Sequence, residues 1–84
     1  LSLSVAKNGD GLMQITANAT GGGTLNNTAL TIEVSAIVSG VDVDLGEYNI
    51  TTNGSGVAVI PVTVTSGWNY MVRCGQIATP FVGS

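Results

Sequence analysis

Residues able to carry out enzymatic chemistry are scarce in this chain. It has no histidine, which removes the commonest general base and the commonest metal ligand. The single cysteine, Cys74, therefore has no histidine to activate it as a nucleophile. The glycine run at 21–23 is not followed by Gly-Lys-Ser/Thr, so it predicts a flexible loop and not a phosphate-binding loop. We expect no catalytic site and no cofactor.

Three carboxylates near the middle of the chain are the only candidate metal ligands. Asp42, Asp44 and Glu47 in "DVDLGE" offer the oxygen atoms that calcium prefers, and Asp42 and Asp44 share one face of a predicted strand. Their spacing is not that of an EF-hand loop, and they are too few to complete a coordination sphere. An ordinary solvent-facing strand is the interpretation we favour, with no metal.

Four of the seven asparagines begin an Asn-X-Ser/Thr sequon, which is more than composition alone predicts. They are Asn18, Asn26, Asn49 and Asn53. Asn18 and Asn49 fall on polar faces of predicted strands, and the other two fall in predicted turns, so each could carry a glycan outside the core. The alternative is that a threonine-rich β-protein produces sequons incidentally. We expect N-linked glycans on at least two of the four, and therefore an extracellular or cell-surface location.

The charge of the chain excludes several classes of partner. Charged residues make up 8% of it, against about 25% in ordinary soluble domains. The two basic residues, Lys7 and Arg73, cannot form the cluster that nucleic acid or an anionic membrane surface requires. No apolar run reaches the length of a transmembrane helix, so we expect no membrane insertion of the mature chain. No signal peptide is visible, as in a processed secreted protein or a trimmed one.

The elements that must position these residues are β-strands. Apolar and polar residues alternate with a period of two, and Gly/Asn/Asp turns separate the runs, as in "KNGDG" and "NGSG". The 84 residues predict one domain, 1–84, that is all-β. The predicted strands are 1–6, 12–20, 29–38, 41–52, 57–65, 68–74 and, more weakly, 76–82.

The two prolines constrain where their strands can lie. A proline cannot donate to a strand ladder, so Pro80 predicts an edge strand or a strand end, and Pro61 predicts an edge strand or a bulge. The sequence around Pro61 agrees with a bulge. Val57 and Val59 share one face there, whereas Ile60, Val62 and Val64 share the other.

Alternation in the sixth strand predicts that Trp68, Tyr70, Val72 and Cys74 face inward. Core aromatics are favoured over a sugar-stacking role for Trp68 and Tyr70. A buried structural thiol is favoured for Cys74, with an intermolecular disulfide as the alternative.

The segments "TIEVSAIVSG" and "YNITTNGSGVAVIPVTVTSGWNYMV" resemble bacterial and archaeal immunoglobulin-like repeats of cell-surface proteins. In that family a strand ending in Thr is followed by an Asn/Asp-Gly turn, a Gly-Val-Ala strand, a Gly turn and a Tyr-x-Val strand. The matching residues here are Thr52, Asn53, Gly56, Val57, Ala58, Gly67, Tyr70 and Val72. The resemblance implies an immunoglobulin-like β-sandwich of about seven strands without enzymatic activity, found in stalks, adhesins and surface arrays.

The first residues, "LSLSVA", alternate cleanly and are followed by a turn. A lone module of this kind is similar in architecture to archaeal thread-like filaments and bacterial chaperone-assembled pilins, whose subunits donate a terminal strand to a neighbour. We therefore expect residues 1–6 to act as a donor strand, with Leu1, Leu3 and Val5 filling a groove in the next copy. The alternative is that this strand pairs within its own domain.

The sequence thus predicts a structural subunit of an extracellular filament, a homopolymer that carries N-linked glycans. The alternative function is an adhesion or spacer module of a larger cell-surface protein, which the family resemblance supports equally well.

Overall fold

The protein is a seven-stranded β-sandwich. A computed structural model describes residues 1–83, and these residues form strands and turns without a helix. The strands are β1 (Ser2–Lys7), β2 (Leu12–Asn18), β3 (Ala29–Val38), β4 (Val41–Thr51), β5 (Val57–Thr63), β6 (Asn69–Cys74) and β7 (Ile77–Val82). All pairings are antiparallel, which confirms the all-β prediction. No described segment is a helix of the length and apolar character needed to cross a membrane.

The strands form a three-stranded sheet, β1-β2-β5, and a four-stranded sheet, β4-β3-β6-β7. In the constant-type immunoglobulin sandwich the fourth strand pairs with the fifth, whereas here β4 pairs with β3 and belongs to the larger sheet. The two sheets meet along both sides of the sandwich, where β1 lies near β7 and β4 lies near β5. Four strands are therefore edges: β1, β5, β4 and β7.

The core lies between the sheets and follows the period of two. Within β2 and β3 the inward residues are buried while most of their neighbours are not. The buried apolar residues are Leu3, Met13, Ile15, Ala17, Ile32, Val34, Ala36, Ala58, Ile60, Val62, Val64, Tyr70, Val72 and Cys74. No buried side-chain nitrogen or oxygen among the described residues lacks a hydrogen-bond partner.

Tyr70 fixes the connection between β5 and β6. Its ring is buried, and its hydroxyl oxygen accepts a hydrogen bond of 2.7 Å from the backbone N–H of Thr65. Immunoglobulin-like sandwiches have a tyrosine in a similar position, near the start of the sixth strand, that bonds back to the preceding connection. The connection is therefore held to the core by a side chain from the strand that follows it.

The prediction that Trp68 is buried with Tyr70 is wrong, because 41% of Trp68 is exposed. Trp68 has the inward parity, and its ring lies 6.3 Å from that of Tyr70. However, it precedes the first residue of β6, at an end of the sandwich where the core stops. Tyr70, Val72 and Cys74 are buried as predicted, and Cys74 forms no disulfide within the chain.

Both prolines lie in edge strands, as predicted. Pro80 is in β7, and Pro61 is in β5. Opposite Pro61 the register slips, because Met13 pairs with Ile60 whereas Leu12 pairs with Thr63. The predicted irregularity opposite Pro61 is therefore confirmed as a slip in register. The predicted change of face within β5 is wrong, because burial alternates regularly along the strand, with Ala58, Ile60 and Val62 buried and Val59 exposed.

Replacing Tyr70 with Phe should destabilise the fold by about 1–3 kcal/mol, because the Thr65 N–H loses its acceptor at a partly buried site. For a domain of this size, that loss lowers the melting temperature by roughly 4–8 °C per kcal/mol. The matched control is Tyr48→Phe, whose hydroxyl donates to the Leu45 carbonyl (2.8 Å) from a half-buried position on edge strand β4. Thermal melts should show the larger loss for Tyr70→Phe, and equal losses would contradict the special role of Tyr70.

Candidate functional site

The sandwich has two ends of different character. At one end β2 and β4 finish and β3 and β5 begin, and we call it the sequon end. At the other, which we call the far end, lie the β1–β2 turn, the β3–β4 turn, the start of β6 and the end of β7. A hydrogen bond from the Val64 N–H to the Gly11 carbonyl (2.9 Å) joins the β5 exit to the β1–β2 turn at the far end.

All four sequons lie at the sequon end. Asn18 is the last residue of β2, and Asn49 lies near the end of β4 opposite Thr31. Asn26 and Asn53 lie in the connections that follow these two strands, and the Asn27 N–H donates to the Asn53 carbonyl (3.2 Å). Sequence parity could not show this convergence, because it depends on which strands are neighbours.

The asparagine side chains differ in how well they can present a glycan. Asn26, Asn49 and Asn53 are exposed, whereas Asn18 is half-buried. The Oδ1 atoms of Asn26 and Asn49 accept hydrogen bonds from the hydroxyls of Thr24 (2.5 Å) and Thr31 (2.9 Å). In both asparagines the hydrogen bond uses Oδ1, and the Nδ2 atom, which would carry the sugar, takes no part in it.

Asn53 has a second role in the β4–β5 turn. Its Oδ1 accepts hydrogen bonds from the backbone N–H groups of Ser55 (2.8 Å) and Val57 (3.0 Å). The turn closes through the Gly56 N–H, which donates to the Asn53 carbonyl (3.0 Å), and Gly56 has φ +75°. Only Oδ1 is used, so the turn and a glycan on Nδ2 are compatible.

The β1–β2 turn at the far end repeats this arrangement. The Asn8 Oδ1 accepts from the N–H groups of Asp10 (2.9 Å) and Leu12 (3.0 Å), and Gly11 has φ +78°. The two turns read Asn-Gly-Asp-Gly and Asn-Gly-Ser-Gly. They differ in sequence only at the third residue, where Ser55 completes a sequon and Asp10 does not.

Thr52 holds the sequon end together. It is buried, and its hydroxyl donates to the Leu25 carbonyl (2.5 Å) and accepts from the Thr28 N–H (2.9 Å). The β2–β3 connection, which carries Asn26, is thereby fixed to the end of β4. Gly56 lies close against the same connection. A Cβ at position 56 would lie only 2.8 Å from the Cβ of Thr24, so a larger residue would not fit there. Thr52 and Gly56 both belong to the motif that resembles cell-surface immunoglobulin-like repeats, but the motif alone does not reveal these contacts.

The candidate donor strand pairs with β2 of its own chain. Leu3 lies opposite Ala17 and is 7% exposed, and Leu1 and Val5 are partly buried against the same core. Ser2 and Ser4 face solvent. The structure contains one copy of the chain, so it shows the position that the strand takes in its own sheet, and donation to a neighbour stays a prediction.

The acidic residues of β4 lie on the outer face of the four-stranded sheet. The register places Asp42 opposite Ile37 and Asp44 opposite Ser35, and both line a shallow depression that also contains Arg73. Arg73 donates to the Ser35 hydroxyl (3.2 Å). Within residues 1–83, no group of three or more His, Cys, Asp or Glu side chains could hold a metal ion.

Comparison of the chain with protein-family models, curated proteins and solved structures gave no match.

Replacing Asn53 or Asn8 with Ala should destabilise the fold by about 1–2 kcal/mol in each case, because two backbone N–H groups lose their acceptor. The Asp variants at the same positions keep an acceptor oxygen and should stay within about 0.5 kcal/mol of the parent. Denaturant unfolding of the unglycosylated chain measures both. If Asn53→Asp is as damaging as Asn53→Ala, the side-chain oxygen does not stabilise the turn.

Proposed function

We propose that this chain is a structural subunit of an extracellular filament, in which each copy donates β1 to the next copy. The observation that supports this proposal most directly is a combination of features of β1. It is an edge strand with an apolar inner face, its outward residues Ser2, Ser4 and Ala6 are uncharged, and its one charged residue, Lys7, stands at its last position. A strand edge with no proline, and with no charge along most of its length, is open to pairing with another chain.

The turn that follows β1 would serve as the hinge of the exchange. It contains Gly9 and Gly11, and nothing lies within 4 Å of a Cβ built at either position. No side chain crowds the turn at these two positions, and opening it breaks the hydrogen bonds of the Asn8 Oδ1 and the bond from the Val64 N–H to the Gly11 carbonyl. In the exchanged form, β1 of one copy would occupy the place beside β2 of the next copy, with Leu3 again opposite Ala17.

N-linked glycosylation of the sequon end is part of the proposal. Asn26, Asn49 and Asn53 are exposed on one end of the sandwich, and their turns and strand contacts leave Nδ2 free to carry a sugar. Glycans would also supply the hydration that a surface with 8% charged residues lacks.

The second candidate is an adhesion or spacer module of a larger cell-surface protein. The observation that favours it is the course of the chain, since β1 begins at the sequon end and β7 finishes at the far end. Modules with this arrangement can follow one another end to end. In that case β1 stays in its own sheet, and the domain is a monomer.

Deleting residues 1–6 should abolish assembly, and the truncated chain should bind a synthetic LSLSVA peptide, because the peptide restores the pairing with β2 and the burial of Leu3. A peptide with Leu3→Ala should bind about tenfold more weakly or worse, since it forfeits much of a buried leucine side chain. Sedimentation velocity measures assembly, and fluorescence anisotropy measures peptide binding.

An intact chain that sediments as a monomer, with a truncated chain that ignores the peptide, would contradict exchange and favour the module. An intact monomer whose truncated form does bind the peptide would show that β1 completes only its own domain.

Protein isolated from its source cells should exceed the 8.4 kDa chain mass by sugar-sized steps, corresponding to at least two occupied sequons. The substitutions Thr51→Val and Ser55→Ala remove the sequons of Asn49 and Asn53 without breaking a side-chain hydrogen bond of the structure. Peptide mass mapping of this double variant should show the loss of any steps that belong to these two sites. A bare mass for the unsubstituted protein would refute glycosylation.

A further inference from the structure

Exposed apolar side chains are concentrated at the far end. Six large hydrophobic residues are exposed in the described chain, and five lie at or next to this end: Ile37, Val41, Val43, Trp68 and Val82. The sixth, Val59, lies on the three-stranded sheet. We call Ile37, Val41, Trp68 and Val82 the far-end patch.

The strand register places the members of the far-end patch close together. Asn69 pairs with Ile37 on one side and with Val82 on the other, and Trp68 precedes Asn69. Val41 pairs with Val38, which follows Ile37 in β3. Ile37 and Val82 lie on the outer face of the four-stranded sheet on either side of Asn69, whereas Val41 and Trp68 have the inward parity of the buried residues. Adjacent strands are about 4.8 Å apart, so the four side chains surround one end of this sheet. Exposed apolar side chains gathered at one end of a molecule mark an interaction site or an aggregation hazard.

The sequons avoid this surface completely. All four lie at the sequon end, although the far end has a turn of the same geometry, in which Asn8 takes the role of Asn53. Asp10 stands at the position where Ser55 completes a sequon, so the far-end turn cannot carry an N-linked glycan. The apolar end is therefore also the end without sequons.

The length of the hinge determines where a neighbouring copy must lie. In the exchanged form, Lys7 of one copy pairs at the far end of the next copy, since its partner in the register is Met13. From Lys7 the chain reaches Leu12, which begins β2 at the far end of its own copy. Five residue steps span at most about 18 Å, so the two far ends must approach within that distance.

Exchange of β1 alone gives little net free energy for assembly. The exchanged strand makes the same pairings and buries the same side chains as it does within its own chain, while association has a cost in translational and rotational freedom. Stable assembly therefore needs a contact that the single copy does not have. The far-end patch is apolar, exposed and at the place that the hinge brings together.

We infer that the far-end patch is the contact between copies of this chain, so that far ends meet at the filament axis and sequon ends face outward. This inference rests on the proposed exchange of β1, and the occupant is this same chain, since the far-end patch of each copy contacts the far ends of the copies before and after it in the filament.

The test combines Val41→Lys and Val82→Lys in one chain. These side chains are 61% and 60% exposed, so the double variant should fold as the parent does. The matched control is Val59→Lys, which is 47% exposed and lies outside the patch. Sedimentation velocity over a concentration series should show half-assembly at a concentration at least about tenfold higher for the double variant. The control should stay within twofold of the parent.

Two further measurements separate this inference from the exchange on which it rests. The double variant lacking residues 1–6 should bind the LSLSVA peptide as tightly as the truncated parent, because the β2 edge is unchanged. The emission of Trp68, the only tryptophan, should shift to shorter wavelength when the parent assembles, as its exposed ring loses water.

If the double variant reaches half-assembly at the same concentration as the parent, and the Trp68 emission of the parent does not shift on assembly, the far-end patch is not the contact surface and β1 exchange still stands. Loss of peptide binding in the truncated double variant would also overturn it, since the substitutions would then act through the β2 edge. An unsubstituted chain that stays monomeric at all concentrations would overturn both the surface and the exchange.

Discussion

The constraint that governs this structure is that two open sheets have four edges, and each edge exposes unpaired backbone N–H and C=O groups. Natural β-proteins protect such edges with proline, charge or bulges. Here β5 and β7 each contain a proline. β4 has Asp42, Asp44 and Glu47, together with a bulge at Leu45 that shifts the register from Val34 to Ser35. β1 has a single charge, Lys7 at its last position, and neither a proline nor a bulge, so it is the least protected of the four edges.

A domain of 84 residues has a small core, and its connections must be fixed by individual side chains. Tyr70 holds the β5–β6 connection, and Thr52 holds the β2–β3 connection. Asn8 and Asn53 close their turns through the same pair of side-chain hydrogen bonds. Each of these polar groups bonds to the backbone, so these connections are fixed without charged side chains.

The strands were predictable because alternation is a local signal. For β3, the predicted range 29–38 is the one observed, β1 is shifted by one residue at both ends, and each of the other strands differs by one or two residues at one end. Trp68 shows where local parity fails. It has the parity of the buried residues and its ring lies 6.3 Å from that of Tyr70, yet 41% of it is exposed, because it stands before the first residue of β6. Alternation in the sequence does not reveal where the core ends.

The candidate surfaces were predictable only in part, for the same reason. The sequons and the apolar alternation of β1 are visible in the sequence, whereas the gathering of the sequons at one end requires the strand order. The far-end patch could not be predicted from the local sequence pattern at all. Ile37 and Val82 are separated by 45 positions, and they lie on either side of Asn69 only because β3 and β7 both pair with β6.

Solubility links the two ends of the molecule. With a net charge of −3 and an apolar patch at the far end, a single copy has little electrostatic protection against association at that patch. Burial of the patch between copies would remove this hazard, and glycans at the sequon end would hydrate the surface that remains. A glycan on the β1–β2 turn would block the same contact, because that turn lies beside the patch. In the proposed assembly, Asp10 at the position where the matching turn has Ser55 would be the difference that leaves one end of the sandwich to sugar and the other to protein.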